Sequence, residues 1–222
     1  MWKRIAAAAF ILTLAAVPAF AQDPKAEVGV TFGWVWADGV SGNNVVVPGV
    51  GTFNRVDPKD SFGWGIDVGF FVGPNAEVGF QYTQQPTTIQ VSGTTTKDIG
   101  DTSAHTYHGT FAYNFGPGDS KIRPYIMGGL GATSYGDVPY TRANGASGTI
   151  SGLSRFSSTW GAGVKVYGSS KVGGRFGLRW TPTYIKSDAA GWWCDPYWGC
   201  YLVGNAQYSN QFDINGGVTF RF

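Results

Sequence analysis

Hydrophobic and polar positions alternate with a period of two through most of this chain. From Ala26 to Trp36 the even positions read Ala26, Val28, Val30, Phe32, Trp34 and Trp36, while the odd ones include Glu27, Gly29, Thr31 and Gly33. Successive side chains of an extended strand point to opposite faces, so this is a strand with one apolar face. The pattern returns at Phe62, Trp64, Ile66, Val68 and Phe70 against Gly63, Gly65, Asp67 and Gly69, and at Ala76, Val78, Phe80 and Tyr82 against Glu77, Gly79, Gln81 and Thr83. A fourth segment sets Tyr107, Phe111, Tyr113 and Phe115 against Thr106, His108, Thr110 and Asn114. In the fifth, Ile122 to Ala132, Gly128, Gly129 and Gly131 blur the parity; Ile122, Ile126 and Leu130 are assigned to the apolar face, and the opposite assignment stays open. The sixth sets Phe156, Trp160, Ala162, Val164 and Val166 against Ser157, Thr159, Gly161, Gly163 and Lys165. The seventh sets Val172, Phe176, Leu178, Trp180 and Tyr184 against Arg175, Gly177, Arg179 and Thr181. The eighth sets Tyr208, Phe212, Ile214, Val218, Phe220 and Phe222 against Gln211, Asp213, Asn215, Thr219 and Arg221.

Alternation alone fits a secreted soluble barrel or sandwich as well as a barrel facing lipid. Three features favour lipid. Long connections, at about 37–60, 86–102, 135–153 and 186–205, alternate with short ones at Gly73–Asn75, Gly116–Ser120 and Gly168–Lys171, the asymmetry of a membrane barrel. Trp34, Trp36, Trp64, Trp160, Trp180 and Tyr208 fall beside the long connections, and Phe70, Tyr113, Phe115, Phe220 and Phe222 beside the short ones. Indole and phenol rings favour the headgroup level, so two such belts bracket a hydrocarbon band. The other face holds Gly, Thr, Ser, Gln, Asn and charges, which suits a narrow interior that eight strands leave just wide enough for side chains.

The beginning of the chain adds a compartment. Met1-Trp2-Lys3-Arg4, an apolar run from Ile5 to Val17, and Ala19-Phe20-Ala21 read as a secretory leader, residues 1–21, removed on export. The remaining residues, 22–222, then form one barrel domain with both chain ends in the periplasm. Removing Lys3 and Arg4 cancels the formal charge of +2, so no basic surface argues for nucleic acid. A chain that is 43% hydrophobic and 14% charged, with 34 glycines, is neither disordered nor a coiled coil.

Two stretches carry a family resemblance. Arg123-Pro124-Tyr125-Ile126-Met127-Gly128-Gly129-Leu130-Gly131 is similar to a central-strand pattern, and the last strand alternates up to Phe222. Together with the leader and the eight segments, they make the chain resemble the eight-stranded outer-membrane β-barrels of the OmpA-transmembrane-domain and opacity-protein type. The resemblance implies an all-β, eight-stranded antiparallel up-and-down transmembrane barrel in the bacterial outer membrane. It further implies contact with membrane lipid and lipopolysaccharide, and an assembly signal at Ile214, Val218, Phe220 and Phe222 read by the outer-membrane assembly machinery.

By parity the lumen holds Glu27, Asp67, Glu77 and Asp213 with Lys165, Arg175, Arg179 and Arg221. Unpaired charges are costly in so dry an interior, so these are expected in hydrogen-bonded networks that plug the barrel. A gate whose pairs exchange partners to pass ions or small solutes is the alternative. Cys194 and Cys200, an even pair in an exported chain, are expected to form a disulfide. Around them Trp192, Trp193, Tyr197, Trp198 and Tyr201 make an aromatic tip, either a cap over the mouth or a contact surface for a surface ligand or host protein. His105, with Ser103 and Asp101, is the only lead toward a lipid-modifying enzyme, and no phosphate loop, zinc motif or nucleophile elbow accompanies it. No enzyme activity, cofactor or metal is therefore expected. The role read from the sequence is structural, or surface interaction through the long connections.

Overall fold

The computed structural model describes residues 25–184, 193–195, 199–201 and 208–222, with backbone alone at 42–45, 193–195 and 199–201. The expected leader and most of the last long connection lie outside the described residues. Among those described, the strands are β1 (Ala26–Ala37), β2 (Val40–Val47), β3 (Gly51–Pro58), β4 (Ser61–Phe71), β5 (Ala76–Ser92), β6 (Thr96–Asn114), β7 (Ile122–Tyr135), β8 (Val138–Thr141), β9 (Ser147–Ile150), β10 (Leu153–Tyr167), β11 (Val172–Tyr184), β12 (Trp193–Asp195), β13 (Gly199–Tyr201) and β14 (Tyr208–Arg221).

Eight of these close into a barrel in the order β1-β4-β5-β6-β7-β10-β11-β14, every neighbour antiparallel. The seam joins the first wall strand to the last, from Glu27↔Arg221 to Ala37↔Gln211. Closure leaves the wall no edge, so its backbone groups pair without water, the condition for strands that cross a bilayer. Parity runs through all eight segments without a slip. Phe32, Phe62, Phe80, Phe111, Phe156, Phe176 and Phe212 are exposed on the outer face, whereas Glu27, Gln81, His108, Thr159, Lys165 and Thr219 are buried inside. In β7, Ile122, Ile126 and Leu130 face out, which settles the face left open by its glycines. Short turns close one end; Gly116, at φ 86°, takes the left-handed conformation that a side chain disfavours.

The other end is built differently. A crossing takes about 9–11 residues, yet β5 has 17 and β6 has 19. The stretch 86–102, expected to be a long connection, is therefore mostly a continuation of this hairpin, paired from Pro86↔Ser103 to Ser92↔Thr96. The β2–β3 hairpin lies along it through Arg55↔Ser92 to Pro58↔Ile89, and β8 and β9 form a second small hairpin. These strands enclose an apolar core of Val40, Val47, Phe53, Val56, Ile89, Val91, Ala104, Tyr135, Val138, Tyr140 and Ile150. The chain thus has two interiors, a polar one within the wall and an apolar one beyond it.

Candidate functional site: the lumen and its extracellular cover

The polar interior is a stack of interlocked side chains. Nearest the short turns, Lys165 Nζ lies 2.6 Å from Glu27 Oε1 and 2.8 Å from Glu77 Oε2, with its own side chain 1% exposed. Tyr167 donates its hydroxyl to Glu27 Oε2 at 2.6 Å, Arg221 Nε donates to the same oxygen at 3.2 Å, and Asn114 donates to Glu77 at 3.0 Å. The Arg221 guanidinium also stacks 3.3 Å from the centre of the Tyr167 ring. Hydrogen bonds of this kind offset the desolvation of the ions, which Coulomb attraction alone does not reliably do.

In the middle layer Arg175 Nη1 faces Asp67 Oδ1 at 3.4 Å, and its Nε donates to the Tyr125 hydroxyl at 2.9 Å. Gln81 donates to Asp67 at 2.6 Å. The glycines facing this layer provide its space: a Cβ at Gly163 or Gly177 would stand 2.7 or 2.6 Å from the Tyr125 hydroxyl. Above it, Arg179 Nε donates to Asp213 Oδ2 at 2.7 Å, and Asn215 to Asp213 Oδ1 at 2.6 Å. All eight charged residues assigned to the lumen by parity are therefore inside, and the ion pairs form within layers.

The next layer is uncharged. His108 Nε2 and Ser157 Oγ share a hydrogen bond of 2.9 Å, Thr133 donates to Ser157 at 3.0 Å, and Thr183 to Thr133 at 3.0 Å. Gln211 donates to Gln85 across the barrel at 3.0 Å. Between these layers Thr31, Thr83, Gln85, Arg179, Thr181 and Gln211 border a cavity of about 20 Å³, room for a water or two. Above lies the apolar core, where burial pushes the Tyr135 phenol up to about 12. At the surface, the Lys59 ammonium, 2.6 Å from Asp98, holds that carboxyl below its ordinary range.

On the outer wall, Trp34, Trp36, Trp64, Trp160, Trp180 and Tyr208 are all exposed. Trp160 and Trp180 are register partners, and Trp180 stacks on Phe212 with ring centres 6.1 Å apart. Ile214, Val218, Phe220 and Phe222 form one outward row along β14 and the residue after it. His105 is not joined to Ser103 and Asp101 as a catalytic set: its Nδ1 meets the Tyr82 hydroxyl at 2.8 Å, while Asp101 accepts from Thr88 at 2.7 Å. Cys194 and Cys200 are direct backbone partners in the β12–β13 ladder; their side chains lie outside the described residues. The sequence reading did not name Arg123, Tyr125, Met127 and Tyr167 among the lumen residues, although the parity of Ile122 and Ile126 already directs the first three inward.

Comparison with known proteins agrees with this architecture. Over 123 residues the chain is 34% identical to outer membrane porin F of Pseudomonas fluorescens, a match covering 54% of this chain and 35% of that protein. The chain thus spans about a third of its curated relative. Among solved structures, OprG from Pseudomonas aeruginosa superposes with a TM-score of 0.65 at 11% identity, covering 90% of this chain and 97% of that one. Neisserial surface protein A gives 0.52 at 14% identity, covering 88% and 97%. At these identities the likeness is one of fold. Residues 6–222 match the family described as outer membrane protein beta-barrel domain, and the chain belongs to that family of bacterial outer-membrane barrels.

Proposed function

We propose that this outer-membrane barrel is closed as a conduit and serves as a rigid membrane mount for the folded β structure beyond its wall, which acts as a surface for contact. The observation that carries the reading is the lumen: three charged layers fill it, the lower two tied across the barrel by Lys165 and Arg175 and the third joining Arg179 to Asp213 on the neighbouring strand, and the cavity bordered by Thr31, Arg179 and Gln211 measures about 20 Å³. The apolar core above adds to it, because strands that merely lined an open vestibule would not need to bury Phe53, Ile89 and Val138 against one another. The contact is with a surface ligand or a host protein, and the Cys194–Cys200 pair staples the hairpin that presents the aromatic tip. Lipid and lipopolysaccharide meet the aromatic belt, and the row Ile214, Val218, Phe220 and Phe222 serves recognition by the assembly machinery.

Planar-bilayer recording of the refolded protein tests the closed lumen. Bilayers with inserted protein are expected to stay silent. Reproducible conductance steps that change in Arg175→Gln or Glu77→Gln would instead make the gated pore the primary reading. Thiol labelling with mass spectrometry tests the staple; a free Cys194 in the oxidised protein would remove it.

A further inference from the structure

We propose that the short-turn mouth of the lumen holds a small inorganic anion of chloride size at Arg123 and Arg221. Arg175 is matched by Asp67 and Arg179 by Asp213. In the lowest layer three cations, Lys165, Arg221 and Arg123, meet two carboxylates, Glu27 and Glu77. Lys165 engages both acids and Arg221 shares Glu27. Among the described residues no carboxylate lies within ion-pair distance of Arg123, although the residue is only 1% exposed. A buried cation without a counter-charge is among the costliest arrangements in a protein interior.

Hydrogen bonding gives the same answer independently. Arg123 Nη2 donates to the Pro74 carbonyl at 2.8 Å, and Arg221 Nη1 reaches the Gly118 carbonyl at 3.5 Å, so both guanidiniums are tied to the backbone of the closing turns. Arg123 Nε and Arg221 Nη2 are buried with no acceptor. The charge of Arg123 interacts repulsively with that of Arg221 and attractively with Glu27 and Glu77. An anion here would accept the spare N–H groups, separate two like charges and neutralise the layer in one step. Exposed Lys25, Lys121 and Lys171 stand around the same mouth with Asp119 as the exposed acid of its turns, a field that draws anions from the periplasm.

The test compares thermal unfolding of the refolded full chain in sodium chloride and in sodium gluconate at equal ionic strength, gluconate being a far bulkier anion than chloride. Chloride is expected to raise the unfolding temperature by about 5 °C. Arg123→Gln should abolish that difference, whereas the triple Lys25→Gln, Lys121→Gln, Lys171→Gln variant should keep most of it. Folding of each variant is checked by its heat-modifiable gel mobility, and Arg221→Gln stands in if Arg123→Gln does not fold. Bromide in crystals of the unaltered protein is the second probe, with anomalous scattering expected beside the two guanidiniums. Equal unfolding temperatures in the two salts, an undiminished chloride effect in Arg123→Gln, loss of the effect only in the lysine variant, or no bromide at this mouth would each overturn the proposal.

Discussion

The two interiors of this protein follow opposite rules, and β5 passes through both. Within the wall its inward positions are Glu77, Gln81 and Gln85, all buried, with Val78 and Phe80 exposed outside. From four residues beyond Gln85 the same inward face carries Ile89 and Val91, also buried, while Gln90 and Ser92 occupy the other face. The pleat has not slipped between Gln85 and Ile89; the surroundings have changed. Where lipid lies outside, apolar side chains face out and polar ones must satisfy each other within. Where water lies outside, the strand reverts to the ordinary arrangement with an apolar core. The comparison teaches that the level at which polarity exchanges faces marks the membrane boundary, here between Gln85 and Ile89.

The lumen depends on matched charges and the outer core on matched shapes, so perturbations of the two should differ in size and reach. Lys165→Met should have the largest effect, about 3–5 kcal/mol in urea unfolding, because it leaves Glu27 and Glu77 buried without their shared cation. Adding Glu27→Gln and Glu77→Gln to that variant should recover most of the loss; failure to recover any would mean the layer is held by shape rather than charge. Val56→Ala, which removes two carbons from the outer core, should cost about 2 kcal/mol. Its signature is spatial: hydrogen exchange should accelerate in β2, β3 and the outer part of β5 and leave β11 and β14 unchanged. Accelerated exchange throughout the wall would join the two interiors into one cooperative unit.

Alkali should separate the regions further. The Tyr135 value is raised, from 10 to about 12, so the stability it gives is complete below about pH 10 and is lost as pH rises through 12. Phenolate absorbance of the unaltered protein should include a late-titrating tyrosine, near pH 12, that is missing in Tyr135→Phe. The smallest effect is expected at Asp98, whose value is lowered by Lys59 and Gln90. Its contribution is present above the ordinary carboxylate range and lost as pH falls through the lowered value, and salt should weaken it. Exchange at the β3–β5 junction in acid, with and without salt, is the measurement.

The wall was legible because parity is a local property that eight segments repeat, and the terminal row up to Phe222 required no tertiary information. The eight charged lumen residues followed from the same parity. What it could not supply was partnership: that Lys165 bridges two acids on β1 and β5 depends on the curvature of the closed sheet. Arg123, Tyr125 and Met127 escaped because Gly128 and Gly129 obscured the alternation of their strand. The outer core escaped for a different reason. Ile89 and Val91 lie in a β-prone stretch, 89–95, whose local pattern already allows a prolonged hairpin, but that pattern does not show that they are buried; only non-local pairing such as that of β3 with β5 makes them and Val138 a core.

The seam between β1 and β14 bears on how the molecule comes to exist. Glu27 and Arg221 are opposite each other in the ladder and bonded across it, though 194 residues apart in sequence. The bond between Arg221 and Glu27 in the lowest lumen layer exists only once this seam is closed. A shift of one residue at that seam would turn Arg221 and Asp213 toward hydrocarbon and Phe220 and Phe212 into the lumen. The charge ladder therefore works as a proofreading device: an incorrectly closed barrel is penalised at several levels at once, and the correct register is the one in which every strand has already found its place.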